Sequence, residues 1–304
     1  MTKILLTGAT GFLGSHIAES LTDNGFELFA LKRENSDCWR CEEFYDKIKW
    51  IIIDNESLWK DEVIKSGASV IVHSAWLGVE AQDRDNLEIQ VQNLEFIHSL
   101  LEISKKLRVK KFISLGSQAE YGCTNVEVDE CTATNPITAY GVTKIASLGM
   151  IESYCSENNI QWIWMRLFSI FGEKEGKSWL IPNLISKMKV NSSIDFTIGE
   201  QKYAYLYVKD FVEIIIRTIN MNVDSGIYNV SSNQVLPLKD VIQKIGNIVN
   251  PEFKLNFGVL PYRNNQSMHI QGNMTKLFKQ IGVFQFSNFD EAINKTNNYY
   301  LLID

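Results

Sequence analysis

Short apolar runs alternate with longer segments of helical periodicity through the first half of the chain. The runs are nearly continuous in apolar residues, which is typical of strands covered on both faces, as in a parallel sheet. The alternation therefore predicts an α/β fold with a Rossmann-like, doubly wound parallel sheet. The predicted strands are 4–7, 27–32, 49–53, 69–75 and 110–117, and the predicted helices are 12–24 and 87–106.

The pattern changes in the second half of the chain. A helix at 140–158 and a strand at 160–172 continue the alternation, but after Gly172 the elements become mixed. They comprise helices near 179–190 and 209–221 and a strand at 227–231. We therefore predict two parts: a Rossmann-like domain of residues 1–168 plus 203–231, and a smaller C-terminal substrate-binding lobe of residues 169–202 plus 232–304.

Composition and charge narrow the classes of function. A chain of 304 residues with 45% hydrophobic residues can bury a full core, and a net charge of -6 without a basic run argues against a nucleic-acid partner. No signal peptide and no apolar stretch of the ~20 residues that span a bilayer is present, so we expect a cytoplasmic protein without a membrane partner.

The five cysteines are expected to be reduced. The pair Cys38 and Cys41 favours an ordinary loop over a zinc or redox site, and no metal is expected.

Three glycines follow the first predicted strand in the segment TGATGFLG. Between a strand and a helix, such glycines allow a tight turn, close approach of the backbone to a pyrophosphate, and close packing of helix on strand. The spacing G-x-x-G-x-x-G differs from the commoner G-x-G-x-x-G, so its place after a leading strand matters. The alternative is an ordinary tight turn. The expected cofactor contacts here are Gly8, Thr10, Gly11, Phe12, Leu13 and Gly14.

The end of the second predicted strand carries Lys32 and Arg33 where a carboxylate would bind the ribose hydroxyls of NAD. Two cations can neutralise a 2′-phosphate, and arginine can bind it with two parallel hydrogen bonds. NADP(H) is therefore the preferred cofactor, NAD(H) remains open, and solvated surface charges are the alternative. Asp54 and Asn55, after the third strand, are placed to meet the adenine, although a turn at a strand end uses the same residues.

Tyr140 and Lys144 in ITAYGVTK lie four residues apart, on one face of a predicted helix. A nearby ammonium can lower the pKa of a phenol, which then exchanges a proton with a carbonyl or alcohol oxygen. Ser117 ends a predicted strand at the sheet edge where open α/β folds bind ligands, and its hydroxyl could bind the same oxygen. A turn-capping serine is the alternative. His73 is interpreted as a strand residue with satisfied ring nitrogens.

The segments TGATGFLG, HSA, SLGSQAEYG, AYGVTK, MRLFSIFG, YLYVKD and IYNVSS together resemble the extended short-chain dehydrogenase/reductases, the NAD-dependent epimerase/dehydratase family that acts on nucleotide-activated sugars. The resemblance runs over most of the chain. It implies that Tyr140 is the acid/base, Lys144 its activator and a ribose ligand, and Ser117 the hydroxyl that orients the carbonyl. It also implies that Asn93 is a structural or cofactor-side polar residue. Four further residues are implied to lie beside the pyrophosphate or nicotinamide end of the cofactor: Ala75, Trp76, Leu167 and Phe168.

The resemblance also narrows the reaction. Family members that dehydrate hexoses carry an acidic pair directly after the Ser/Thr, where this chain has Gln118 and Ala119. Epimerisation through a transient 4-keto sugar and net reduction of a keto sugar remain. SQAEYG resembles 4-ketoreductases that complete CDP- or dTDP-linked deoxyhexoses for surface polysaccharides such as O-antigen, and NADPH suits a net reductase. A 4-epimerase with tightly held NAD is the alternative, and a non-catalytic dinucleotide sensor is a third interpretation.

The resemblance implies a nucleotide-diphosphate sugar as substrate and a homodimer formed through helices 87–106 and 140–158. Ser169 and Tyr203 replace a family asparagine and a family arginine, which leaves the nucleotide open. Arg263 in LPYRNN matches a late family arginine that binds the diphosphate, with a solvated arginine as the alternative. The expected substrate contacts are Trp76, Ser117, Gln118, Glu120, Ser169, Trp179, Asn183, Tyr205 and Arg263.

Overall fold

The structure is a computed structural model that describes residues 1–53, 58–190, 192–264 and 266–303. Its strands are β1 (Lys3–Thr7), β2 (Glu27–Arg33), β3 (Lys49–Ile53), β4 (Val70–His73), β5 (Lys111–Ser117), β6 (Gln161–Leu167), β7 (Ile170–Phe171), β8 (Ser193–Asp195), β9 (Lys202–Tyr203), β10 (Leu206–Tyr207), β11 (Gly226–Val230), β12 (Leu236–Pro237), β13 (Lys254–Asn256) and β14 (His269–Ile270). A parallel sheet of seven strands, in the order β11-β6-β5-β4-β1-β2-β3, forms the centre of the fold.

Helices cover both faces of this sheet. They are α1 (Phe12–Asp23), α2 (Leu58–Ser66), α3 (Leu87–Leu107), α4 (Ala139–Glu157), α5 (Leu180–Val190), α6 (Val208–Asn220), α7 (Leu238–Val249), α8 (Thr275–Ile281) and α9 (Phe289–Ile303), with 3₁₀ helices at Trp39–Lys47 and Gln118–Glu120. Buried side chains of α1 and α6 share one core cluster, and those of α2, α3 and α4 share another. Within the described ranges, no helix combines the length and apolar character that a membrane span requires.

Alternation along the strands explains why the strand sequences are apolar throughout. On β5, Phe112 belongs to the cluster under α3 and α4, whereas Ile113 belongs to the cluster under α1 and α6. Each face of the sheet thus has its own helical cover, which requires apolar residues at successive positions. The predicted doubly wound α/β fold is confirmed.

Some elements differ from the prediction. The predicted strand 160–172 is two strands, because β6 ends at Leu167 and β7 leaves the main sheet to pair with β10. The 3₁₀ helix Trp39–Lys47 and helix α2 were not predicted. All strands of the main sheet lie within 1–168 and 203–231. One core cluster nevertheless continues from α1 through α6 to Ile245 of α7, so the division into two parts stays a prediction.

Lys111, at the start of β5, connects helix α6 to the sheet through hydrogen bonds. Its side chain is buried, and Nζ donates hydrogen bonds to the carbonyl oxygens of Thr218, Ile219 and Met221, at 2.6, 3.1 and 2.7 Å. These carbonyls belong to the last turn of α6 and its C-cap residue, where no helical N–H is available to them. The buried ammonium therefore caps the C-terminus of α6.

We predict that Lys111→Met lowers the free energy of unfolding by about 2 kcal/mol, because buried carbonyls lose their donor. The exposed neighbour offers a matched control, and Lys110→Met should change the free energy by less than about 0.5 kcal/mol. Urea unfolding of both variants measures the difference. Equal stabilities would show that the cap contributes nothing.

Candidate active site

The carboxyl ends of β1 and β4 meet at the point where the strand order of the sheet reverses, which is where open α/β folds bind ligands. Gly8, directly after β1, has φ +76, and a Cβ there would lie 2.7 Å from the backbone nitrogen of Ala75. Thr7 Oγ1 accepts a hydrogen bond from the same nitrogen, at 3.1 Å. The turn after β1 therefore lies against the segment after β4, and only glycine fits at its start.

The rest of the glycine loop leads into α1. A Cβ on Gly14 would lie 1.9 Å from the carbonyl oxygen of Gly8, so this glycine is required by packing. Gly11, the N-cap of α1, is exposed, and no side chain caps the helix there. The first turn carries no acidic residue, so its N–H groups and the helix dipole favour an anion. Thr10, Phe12 and Leu13 are half-buried around it. The loop fits the pyrophosphate of a dinucleotide.

Lys32 and Arg33 point to opposite faces of the sheet, because neighbouring strand residues alternate. Lys32 Nζ lies 5.7 Å from the ring centre of Tyr45 and 5.9 Å from that of Trp50. Arg33 is exposed at the end of β2. Of the two cations expected at the 2′-phosphate, only Arg33 is therefore still a candidate. The preference for NADP(H) stays a prediction. Asp54 and Asn55, expected at the adenine, lie outside the described residues.

The three predicted catalytic residues come together at the carboxyl edge of the sheet. Ser117 ends β5, and Tyr140 and Lys144 lie in the first turns of α4. Thr138 begins this helix, since its Oγ1 accepts a hydrogen bond from the Gly141 nitrogen at 3.1 Å. Ser117 Oγ accepts a hydrogen bond from the Ala119 nitrogen at 3.1 Å, and its hydroxyl is near enough to Tyr140 to lower the pKa of that phenol against the effect of burial. Two hydroxyl groups thus lie side by side, as binding of one carbonyl oxygen would require.

Lys144 is buried beneath this pair. Its Nζ donates a hydrogen bond to the Leu115 carbonyl oxygen at 2.7 Å and lies 3.4 Å from the ring centre of Trp76 and 5.6 Å from that of Tyr140. Burial lowers the pKa of Lys144 to about 7, and the nearby charge of Glu120 opposes that shift. The ammonium form therefore depends on the indole face, the carbonyl and the carboxylate around it.

Trp76 and Asn93 hold the segment after β4 in place. The indole Nε1 of Trp76 donates to Gln90 Oε1 at 2.9 Å, and its ring meets the Tyr140 ring edge-on, with centroids 5.9 Å apart. Asn93 is buried and bonds both the nitrogen and the carbonyl oxygen of Leu77, at 2.8 and 3.1 Å. Trp76 thus borders the catalytic set. Asn93 makes structural contacts with the backbone of Leu77, and its cofactor-side role stays a prediction.

Glu120, expected to contact substrate, lies beneath the site instead. Its side chain has no exposed surface, and its carboxylate accepts hydrogen bonds from the Ser117 nitrogen at 2.8 Å, Trp164 Nε1 at 2.9 Å and Arg166 Nε at 2.7 Å. A Cβ on Gly116 would collide with the Trp164 indole nitrogen and with the carboxylate itself. Glu120 is therefore a structural anchor for Ser117. Trp164 and Arg166 have no local sequence signal as site residues, because only the fold brings them next to Glu120.

The pKa of Tyr140 departs from the expectation. Burial raises it above the usual value for a phenol, whereas the Ser117 hydroxyl and the positive charge of Arg84 lower it and Glu120 raises it. From the sequence, the ammonium of Lys144 was expected to lower the pKa of this phenol. Arg84 was not singled out, because no motif marks it, yet its guanidinium carbon lies 5.4 Å from the centre of the Tyr140 ring.

Trp179 and Asn183 lie where α5 begins. Trp179 is 38% exposed, and its ring centre is 5.5 Å from the guanidinium carbon of Arg84. The neighbouring Ser178 Oγ donates to Glu80 Oε2 at 2.9 Å, so this part of the chain meets the segment after β4. Asn183 Nδ2 donates to the Lys177 carbonyl oxygen at 3.4 Å. Trp179 thus borders the same arginine as Tyr140.

The remaining expected substrate residues group around β9 and β10. The Tyr205 ring packs edge-on against those of Phe171 and Tyr203, with centroids 6.2 and 6.0 Å apart. Tyr203 Oη accepts a hydrogen bond from Gln266 Nε2 at 2.7 Å, and the charge of the exposed Arg263 lowers the pKa of Tyr203 against the effect of burial. Arg263 and Tyr203 are therefore neighbours, whereas Tyr205 is packed among aromatic rings.

The other expected contacts are mixed. Gln118, Leu167 and Ser169 are half-buried, and the Ser169 carbonyl oxygen accepts a hydrogen bond from the Leu206 nitrogen at 2.8 Å. Phe168 is buried against Tyr121, with ring centroids 6.2 Å apart. Phe168 is therefore a core residue in this structure, which differs from its expected place beside the cofactor.

The thiols of the C-x-x-C segment have separate surroundings. Cys41 Sγ donates to the Ala9 carbonyl oxygen at 3.2 Å, and burial raises the pKa of its thiol to about 12. Cys38 Sγ donates to the Ser36 carbonyl oxygen at 3.4 Å. A thiol with a raised pKa is a poor metal ligand or redox group. Cys41 instead lies where the 3₁₀ helix Trp39–Lys47 packs against the glycine loop.

A glycine loop at the switch point, beside neighbouring serine and tyrosine side chains over a buried lysine, defines the class as a Rossmann-fold protein with a short-chain dehydrogenase/reductase site. Residues 4–231 match the NAD dependent epimerase/dehydratase family. The chain belongs to this family.

Individual proteins resemble the chain over its whole length. It is 26% identical over 306 residues to CDP-abequose synthase from Salmonella muenchen, with 96% of both chains covered. UDP-N-acetylglucosamine 4-epimerase from Methanobrevibacter ruminantium, in complex with UDP-N-acetylmuramic acid, has a TM-score of 0.88 at 20% identity and covers 100% of this chain and 99% of its own. UDP-glucuronic acid 4-epimerase from Bacillus cereus, in complex with UDP-glucuronic acid and NAD, has a TM-score of 0.87 at 19% identity and covers 100% of both. The two structures share the fold.

The second and third glycines of the loop, Gly11 and Gly14, predict different effects of the same substitution. Gly14→Ala should lower the free energy of unfolding by about 3 kcal/mol, because the new methyl group collides with backbone. Gly11→Ala, whose methyl group would come no nearer than 3.3 Å to the Gly8 oxygen, should leave stability nearly unchanged and weaken dinucleotide binding by at least about tenfold. Thermal unfolding and calorimetric titration with NADPH and NADH measure both effects. Undiminished binding by Gly11→Ala would contradict the assignment of the loop.

Proposed function

We propose that the protein is an NADPH-dependent reductase that converts a nucleotide-linked 4-keto-6-deoxyhexose into the 4-hydroxy sugar. The observation that carries the proposal is that Ser117 and Tyr140 lie together over the buried Lys144, beside a glycine loop that fits a pyrophosphate. The full-length similarity to a CDP-abequose synthase supports this substrate class. Such a reaction would serve deoxysugar synthesis for a surface polysaccharide.

The residues divide the chemistry between them. The N–H groups at the start of α1 and the side chain of Lys144 would hold the dinucleotide. A bound reduced nicotinamide supplies a hydride to the carbonyl carbon. Tyr140 gives its phenolic proton to the carbonyl oxygen, Ser117 donates a hydrogen bond to that oxygen, and solvent returns a proton to the phenolate.

The direction of the pKa shift at Tyr140 favours reduction. Burial raises the pKa of Tyr140 further above neutral pH than that of an ordinary phenol, and the protonated phenol is the form that donates to a carbonyl. An enzyme that begins by oxidising an alcohol needs the phenolate first. The acid form therefore suits net reduction better than epimerisation.

The surroundings of Ser117 disfavour a dehydratase. Gln118 and Ala119 follow it directly, and the carboxylate of Glu120 is fully engaged below the site. In this described segment no carboxylic acid is left to protonate a departing hydroxyl group. The reaction therefore keeps the oxygen atoms of the sugar.

A nucleotide-sugar 4-epimerase that retains NAD is the second candidate, and the fold shared with two 4-epimerases favours it. It predicts cofactor that remains bound through purification and no net cofactor oxidation on turnover.

The homodimer expected from the family resemblance stays a prediction. Exposed apolar side chains on the neighbouring helices α3 and α4 suit it: Leu87, Val91 and Val142.

The test is a panel of CDP-, dTDP-, UDP- and GDP-linked 4-keto-6-deoxyhexoses, each incubated with the protein and NADPH or NADH. We expect stoichiometric oxidation of NADPH with at least one member and faster turnover than with NADH. Tyr140→Phe should lower the rate by at least about a hundredfold, because it removes the proton donor.

The matched control is Tyr154→Phe, which removes a phenol later on the same helix and should retain the wild-type rate. Interconversion of 4-hydroxy sugars without cofactor oxidation would favour the epimerase. Full activity of Tyr140→Phe would contradict both candidates.

A further inference from the structure

Arg84 lies between two aromatic rings at the border of the catalytic set. Its guanidinium carbon is 5.4 Å from the centre of the Tyr140 ring and 5.5 Å from that of the Trp179 ring. Tyr140 is buried, and Arg84 itself is half-buried. The positive charge therefore acts on the phenol through a partly desolvated environment, where it is screened less than at an open surface.

One hydrogen bond holds this guanidinium, and others hold the backbone of the segment that carries it. Arg84 Nε donates to the Val79 carbonyl oxygen at 3.0 Å, and the Arg84 carbonyl oxygen accepts from the Tyr140 nitrogen at 2.8 Å. Gln90 has no exposed surface, and its Nε2 donates to the carbonyl oxygens of Gly78 and Asp83, at 2.8 and 3.1 Å. The segment that carries Arg84 is thus tied both to α3 and to the start of α4. Its charge is in place without any rearrangement, as electrostatic preorganisation requires.

The charged groups around Tyr140 come from each element packed against it. Lys144 lies on α4 itself, Glu120 on the 3₁₀ helix after β5, and Arg84 on the segment before α3. Asp85 Oδ1, next to Arg84, accepts a hydrogen bond from the Ala139 nitrogen at 3.2 Å. Burial lowers the pKa of Lys144 to about 7, so its charge varies over the working range of pH. An arginine side chain keeps its charge throughout that range.

We propose that Arg84 is a positioning residue of the active centre whose guanidinium stabilises the phenolate that Tyr140 becomes on giving up its proton. The inference rests on the proposed function, in which Tyr140 is the proton donor. The proton moves from the phenol oxygen to the sugar oxygen, the negative charge stays on the phenol oxygen, and solvent later returns a proton. The fixed cation beside the ring lowers the free energy of that charged state.

The sign of the effect follows from this placement. The charge of Arg84 lowers the pKa of Tyr140 against the effect of burial. Removing the charge raises that pKa and makes the phenol a weaker acid. The alkaline decline of the reductive rate, where the donor has lost its proton, should then move to higher pH, and the rate at neutral pH should fall.

The test measures ionisation at position 140 directly and needs no substrate. Tyr140 is replaced by difluorotyrosine, a more acidic phenol that titrates below the pH at which proteins unfold, and its fluorine NMR shift is followed against pH. Arg84→Gln should raise the pKa of this phenol by about one unit, a tenfold change in the ionisation constant. Arg84→Lys, which keeps the charge, should give less than half of that shift.

Lys105→Gln is the matched control, since it removes one positive charge from an exposed position in the last turn of α3 and should leave the titration unchanged. Arg84→Met keeps the apolar stem of the side chain and replaces Arg84→Gln if the latter does not fold. An unshifted titration in a folded neutral variant would overturn the inference. An inactive substrate panel would contradict the proposed reaction without altering this titration, so the two failures are distinguishable.

Discussion

The buried carboxylate of Glu120 is the contact on which the catalytic set depends. It holds the Ser117 nitrogen, the Trp164 indole and the Arg166 guanidinium at once, without any exposed surface. Removing one partner of such a buried pair typically costs about 3–5 kcal/mol, because the other charge is left uncompensated. Burial raises the pKa of Tyr140 and lowers that of Lys144, and the negative charge of Glu120 acts to raise both. One carboxylate therefore both places the serine and favours the protonated forms of the tyrosine and the lysine.

The lysine and the tyrosine consequently have different electrostatic roles from those that their spacing suggests. Lys144 is occupied by the Leu115 carbonyl and the Trp76 ring, and its ammonium needs support against burial. Burial raises the pKa of Tyr140, and Ser117 and Arg84, which approaches from a different segment, act against that rise. Under the proposed function, the protonated phenol is the form that donates to the carbonyl oxygen.

The sequence pattern was sufficient for the strands of the main sheet, because strand periodicity is a local property. It also placed Ser117, Tyr140 and Lys144 close together, and their catalytic roles stay predictions. It failed where contacts are distant in the chain, as for Arg166 with Glu120 or Gln90 with the carbonyl of Gly78. The end of strand β6 at Leu167 was also not predicted, because the apolar run continues into residues that leave the sheet. The opposite directions of Lys32 and Arg33 could have been deduced from strand alternation alone. Arg84 could not, because nothing local relates it to the phenol.

A crystal structure of the chain with bound dinucleotide tests the central claim, that Ser117, Tyr140 and Lys144 form the catalytic set of a dinucleotide site built on the glycine loop. The account predicts the pyrophosphate against the N–H groups after Gly11 and the nicotinamide ring beside the Tyr140 hydroxyl. It also predicts that the Glu120 carboxylate keeps its contacts with Ser117 and Arg166. A nicotinamide ring remote from Tyr140, or a dinucleotide bound elsewhere with the glycine loop free, would contradict it.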